Sequence, residues 1–183
     1  MAGQGWAGLG WREVLFSAKT FTAAMLALYI ALAMDLPRPY WAVSTAYVVA
    51  QPFAGAVRNR ATWRLLGTIV AACFVVATLP ALVDAPLLLC AVFAAWIAFC
   101  LGAALLDRTP RGYGFMLSGY TVAFLGFPSV TAPETIFDVA VARVEEIALA
   151  VLCVLVVDSV VLPRSAGRAL TVGIERWLAS VSA

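Results

Sequence analysis

The chain has 183 residues, 64% of them hydrophobic and only 12% charged, with a net charge of +2 and a mean hydropathy of +0.98. Soluble domains carry about a quarter charged residues, so this sequence lacks the polar surface of a water-soluble globule. The small net charge argues against a nucleic-acid partner, and without histidine any proton relay must use carboxylates.

Apolar runs of about 20 residues span the hydrocarbon core of a bilayer, and the sequence predicts six. An N-terminal segment, 1–16, precedes the first. It has no Ala-x-Ala-like cleavage site, so no removable leader is expected. The first run is Ser17 to Met34. Ala23, Ala27 and Ala31 recur in it every fourth position, a stripe that lets another helix approach closely. Lys19, near its start, can snorkel.

"DLPRPYW" follows as a turn, since proline ends a helix and restricts the residue before it. Tyr40 and Trp41 there suit a headgroup interface. A second run is read from Trp41 to Val57, with Gln51-Pro52 marking a kink or exposed backbone against protein. Arg58 to Arg64 then reads as a short basic loop. Leu65 to Val83 and Leu87 to Leu106 form the third and fourth runs, joined by Asp84-Ala85-Pro86. Asp107 to Gly112 is a second basic loop, and Tyr113 to about Val130 the fifth run. The sixth continues to Leu162 and ends at Pro163-Arg164. Residues 165–183 can form an amphipathic tail, with Leu170, Ile174, Trp177, Leu178 and Val181 on one side.

With the N-terminus inside, one side of this arrangement holds Arg12, Lys19, Arg58, Arg60, Arg64, Arg108, Arg111, Arg164, Arg168 and Arg176. The other holds Arg38 and Arg143. The excess of cations predicts both termini in the cytoplasm. The fold class expected is an all-α integral membrane domain over 17–164 with six transmembrane helices. "ALAMDLPRPYWAV" echoes "AALLDRTPRGYGF" after the fourth run, on the opposite side, as a three-plus-three inverted repeat requires.

The sixth run carries Arg143, Glu145 and Glu146. Isolated charges in lipid cost at least about 2.5 kcal/mol each, so such residues face a bundle interior or pathway unless that part of the helix is solvated. Arg143 and Glu146, three apart, share a face and can pair. Asp158 lies near Arg164 at the other end. Cys73, Cys90, Cys100 and Cys153 fit neither a zinc site nor a disulfide framework and are expected to be small buried hydrophobes. Gly112-Tyr113-Gly114 has no following lysine to hold phosphate. No enzyme activity, cofactor or metal is expected.

In order, "LPRPYWAVSTAYVVAQP", "GAVRNRATWRLLGT", "ARVEEI" and "VDSVVLPRS" resemble the N-terminal membrane half of the fusaric acid resistance family, which includes the aromatic acid (p-hydroxybenzoate) exporters. The resemblance covers about 17 to 166. It implies an inner-membrane exporter of aromatic carboxylic acids or related toxic compounds, driven by the proton motive force and working with a periplasmic adaptor (membrane fusion) protein. It also implies a large cytoplasmic region and a second membrane half, so this chain is expected to pair with such a half or with another copy. The matched motif residues are Pro39, Trp41, Thr45, Arg58, Arg64, Gly67, Thr68, Arg143, Glu146, Asp158, Pro163 and Arg164.

An aromatic carboxylate needs a cation and a flat apolar wall. Arginine supplies a planar fork, and Trp41 or Tyr120 a ring to stack on. The candidates for substrate and coupling are thus Arg143, Glu146, Glu145, Trp41, Thr45, Tyr120, Gln51 and Lys19. Arg58, Arg60 and Arg64 can gather anions at a cytoplasmic mouth, although orientation alone also explains them. A passive organic-anion channel and a non-transporting membrane anchor or assembly subunit are the rival readings.

Overall fold

A computed structural model describes residues 11–51, 54–107 and 109–160. They form six α-helices: α1 Trp11–Ala33, α2 Tyr40–Val49, α3 Ala54–Leu82, α4 Pro86–Leu106, α5 Pro110–Gly126 and α6 Ile136–Val160. Short 3-10 turns at Phe127–Ser129 and Pro133–Thr135 join the last two. No strand occurs among the described residues. The amphipathic tail, Pro163, Arg164, Arg108 and Pro52 lie outside them.

Among the described residues, three helices are long and apolar enough to cross a membrane: Glu13–Ala33, Gly55–Leu82 and Pro86–Leu106. α2, with 10 residues, rises only about 15 Å. α5 has 17 residues, and α6, though 25 long, carries Asp138, Arg143, Glu145, Glu146 and Asp158.

Two expected boundaries are corrected. The second run does not continue to Val57: α2 ends at Val49, and Ala50 is extended at φ −55, ψ 129. The physical reason is Pro52, whose ring disfavours helical backbone just before it. Arg58 to Arg64 is not a loop but lies within the first turns of α3. Arginine, alanine and leucine are good helix formers, and charge alone does not break a helix.

The turn after α1 is built by Asp35. Its φ of 55 puts it in the left-handed region, which aspartate tolerates better than most residues. Leu36 N–H then reaches Ala31 O at 3.0 Å and Asp35 N–H reaches Leu32 O at 3.2 Å, capping the last carbonyls of α1. At the start of α5, Thr109 Oγ1 accepts from Arg111 N–H at 3.3 Å, and Pro110 occupies the first helical position. Hydrogen bonds from Thr109 hold the Asp107 carboxyl below its ordinary range.

α1, α2 and α6 pack on one another, α5 packs on α3 and α4, and α3 against α6 joins the two groups. The third helix of each half therefore packs on the first two helices of the other half. Ala23, Ala27 and Ala31 are buried as the stripe predicts, with Ala42 and Ala150 beside the last two. Cys100 and Cys153 are buried as expected, but Cys73 and Cys90 are exposed, because both fall on the outward sides of α3 and α4.

α3 and α5 cross at Gly67 and Gly114. A Cβ on Gly67 would stand 2.6 Å from the Gly114 carbonyl oxygen, a backbone atom that cannot step aside. Gly67→Val is expected to cost about 1–3 kcal/mol of stability by overpacking, read as a fall in the thermal unfolding midpoint in detergent. Gly55→Ala, where nothing lies within 4 Å, is the neutral control.

Candidate functional site

The α1–α2 and α5–α6 connections meet at one end of the bundle. Pro37, Arg38, Trp41, Phe124, Leu125, Asp138, Val139, Ala142, Arg143 and Glu146 line a cavity of about 160 Å³ there. Arg143 is 5% exposed. Its guanidinium carbon lies 3.3 Å from the Trp41 ring centroid, a cation–π contact of the desolvated kind. The Trp41 and Phe124 rings meet edge to face at 5.9 Å, as do those of Phe124 and Tyr120. Trp41 is half-buried. A buried cation lies over its ring, because α6 brings Arg143 across it.

Glu146, 1% exposed, does not pair with Arg143. Its Oε1 accepts from the Arg38 backbone N–H at 2.8 Å. The three-residue spacing does put both side chains on the buried face of α6. The ring of Trp41 draws the guanidinium one way, and the loop's unused N–H draws the carboxylate the other. Neither ionic group has an ion-pair partner within 4.0 Å among the described residues. Glu145 points away, into an apolar groove with Ile69, Ala72, Cys73, Val76 and Val144.

A second polar cluster centres on α3. Arg64 is 3% exposed. It donates from Nη2 to Thr45 Oγ1 at 3.1 Å, and from Nη1 to Tyr113 OH at 3.2 Å and Tyr120 OH at 3.5 Å. Three helices are tied together through one guanidinium. Thr68 Oγ1 donates back to Arg64 O at 2.9 Å. Arg64 is near enough to Arg143 to repel it, and Glu146 near enough to attract it without forming an ion pair. Of the three arginines assigned to a mouth, Arg58 is exposed and Arg60 half-buried, its guanidinium carbon 4.9 Å from the Tyr113 ring centroid. Arg64 is a core residue. The spacing Arg58–Arg60–Arg64 could not separate these fates, since only the packing of α5 decides which of them is covered.

A third cluster sits at the opposite end from the cavity. Lys19 Nζ and Asp158 Oδ1 form an ion pair at 2.5 Å, with the side chains 15% and 12% exposed. Lys19 therefore does not simply snorkel, and Asp158 is engaged by α1. Both line a small pocket with Thr20, Ala50, Gln51 and Val57. Gln51 Nε2 donates to the neighbouring Ala50 O at 2.7 Å, beside the α2 break. Pro39 precedes α2 in helical conformation. Reasoning from sequence missed Tyr113 as a partner of Arg64. Its match to Tyr40 in the loop echo was the available signal.

A family model described as the fusaric acid resistance protein family matches residues 13–183. The chain is 31% identical over 163 residues to the p-hydroxybenzoic acid efflux pump subunit AaeB of Shigella boydii serotype 4 (strain Sb227) and to that of Escherichia coli O9:H4 (strain HS). Each match covers 84% of this chain and 25% of the relative. The subunit of the same name from Musicola paradisiaca (strain Ech703) is 31% identical over 159 residues, 82% of this chain and 24% of the relative. The chain thus spans about a quarter of the length of the curated relatives it matches. With the family model matched over nearly its whole length, the chain belongs to the fusaric acid resistance protein family.

Proposed function

We propose that this chain forms the first membrane half of an efflux permease for aromatic carboxylic acids in the bacterial inner membrane. All six helices cross or enter the bilayer, both termini lie in the cytoplasm, and α1–α3 and α4–α6 form an inverted repeat. The cavity beside Arg143 then opens outward. A periplasmic adaptor and a second membrane half, or a second copy, complete the pump.

The observation that carries this reading is a buried guanidinium with no ion pair among the described residues, in a cavity walled by Trp41 and Phe124. A planar carboxylate matches the fork of arginine, and an aromatic ring matches the wall. The exchange of third helices between the halves and the sequence echo support the repeat. The relatives' printed name, p-hydroxybenzoic acid efflux pump subunit, supports the substrate class.

Glu146 is the coupling group in this reading. It shares the cavity with Arg143. Protonated, it no longer competes with the substrate carboxylate for the local positive potential; ionised, it favours release. The full-length protein in proteoliposomes is expected to move p-hydroxybenzoate against its gradient when a pH gradient is imposed. Glu146→Gln is expected to leave flux that ignores the pH gradient. Wild-type flux indifferent to the gradient would identify a passive channel instead, and no flux at all an assembly subunit.

A further inference from the structure

We propose that Arg64 and its three hydroxyls form a second carboxylate-binding station, beyond the Arg143 cavity along the Trp41–Phe124–Tyr120 rings, to which the substrate passes. The proposal rests on the transport reading and extends it to a site sequence alone would leave at a mouth.

The argument is an imbalance of donors and acceptors. Thr45, Tyr113 and Tyr120 each accept a hydrogen bond from Arg64. A hydroxyl that accepts still has its own hydrogen to donate. None of the three donates to another described residue, whereas Thr20, Thr22, Thr62, Thr68 and Thr78 all return theirs to a carbonyl four residues back. Arg64 Nε is buried and has no partner. The Thr45 hydroxyl hydrogen and Arg64 Nε are thus buried donors with no acceptor among the described residues, flanked by the half-buried hydroxyls of Tyr113 and Tyr120, around a cation with no ion-pair partner among the described residues. Buried polar groups are ordinarily satisfied. What satisfies this set is an anion, and its planar fork suits a carboxylate.

The position fits a relay. Arg64 and Arg143 are near enough to repel one another, and Tyr120 accepts from Arg64. The aromatic chain Trp41, Phe124, Tyr120 runs between the two guanidiniums, each ring about 6 Å from the next. The arrangement is also mirrored: an arginine of α6 lies over the aromatic opening α2, and arginines of α3 lie on the aromatic opening α5. Repulsion between the arginines then helps the anion leave one for the other.

Equilibrium dialysis of radiolabelled benzoate against the purified full-length protein tests this. Wild type should bind two benzoates at this membrane half, Arg64→Gln one and Arg143→Gln one. Arg64→Lys, which keeps the charge but loses the fork, should bind the second benzoate at least ten-fold more weakly while unfolding at the wild-type temperature. A single benzoate, lost in Arg143→Gln and kept in Arg64→Gln, overturns the station but leaves the cavity reading intact. Two benzoates retained in Arg64→Gln with a lowered unfolding temperature would make Arg64 a structural tie and also overturn it. No binding to wild type overturns station and cavity together.

Discussion

Replacing Arg143 by glutamine is expected to weaken binding of an aromatic carboxylate about ten- to a hundred-fold, with a matching loss of transport. Hydrogen bonds to charged groups contribute about 1.5–3 kcal/mol, and each 1.4 kcal/mol is ten-fold in affinity. The guanidinium makes no hydrogen bond or ion pair to another described residue; Trp41 lies against it, and Glu146 attracts it only at longer range. Its loss therefore removes substrate contacts without orphaning a carboxylate partner, and the fold should survive. Arg143→Lys should recover only part of the affinity, because an ammonium cannot offer the fork. Trp41→Ala should cost less, about 0.5–2 kcal/mol, through the lost cation–π contact and ring wall. Arg58→Gln, at an exposed position, should change affinity less than about two-fold, since exposed charges are screened. Titration calorimetry with p-hydroxybenzoate reads all four. Arg143→Gln binding as wild type would remove the cavity from the pathway.

Lys19→Met is expected to destabilise the protein by about 3–5 kcal/mol, because it leaves the Asp158 carboxylate buried without its cation. The pair joins α1 to the far end of α6 across the whole chain, and Lys19 also donates to the Asp158 carbonyl oxygen at 3.3 Å. An exposed ion pair would contribute only about 0–1 kcal/mol, so the size of the effect reports the burial. Lys19→Met combined with Asp158→Leu should recover most of the loss, since well-packed apolar side chains often replace a buried pair without cost. Thermal unfolding in detergent checks this. A double variant as unstable as the single one would mean that the pair is not what the carboxylate needs.

The halves of the problem differ in how legible they were. Helix number, the turn at Asp35 and the packed alanine stripe were readable because they rest on local chemistry: apolar run length, proline, and small residues one turn apart. The continuation of α3 through Arg58, Arg60 and Arg64 was misread because a charge cluster looks like a loop when one imagines lipid around it. Inside the bundle, Tyr113, Tyr120 and Thr45 take the place of water for Arg64.

By itself the sequence determined an all-helical chain too apolar for water, with Arg143 and Glu146 on a common helix face and with motifs of the fusaric acid resistance family. Helical periodicity and side-chain chemistry act over a few residues, and they suffice for that. Only the tertiary structure decided which partner each charge takes. Arg143 meets Trp41, Glu146 meets the Arg38 backbone, Arg64 meets hydroxyls from α2 and α5, and Lys19 meets Asp158. Those choices depend on helices far apart in the chain being brought side by side, and charges in a low-dielectric interior pair with whatever the packing sets within reach.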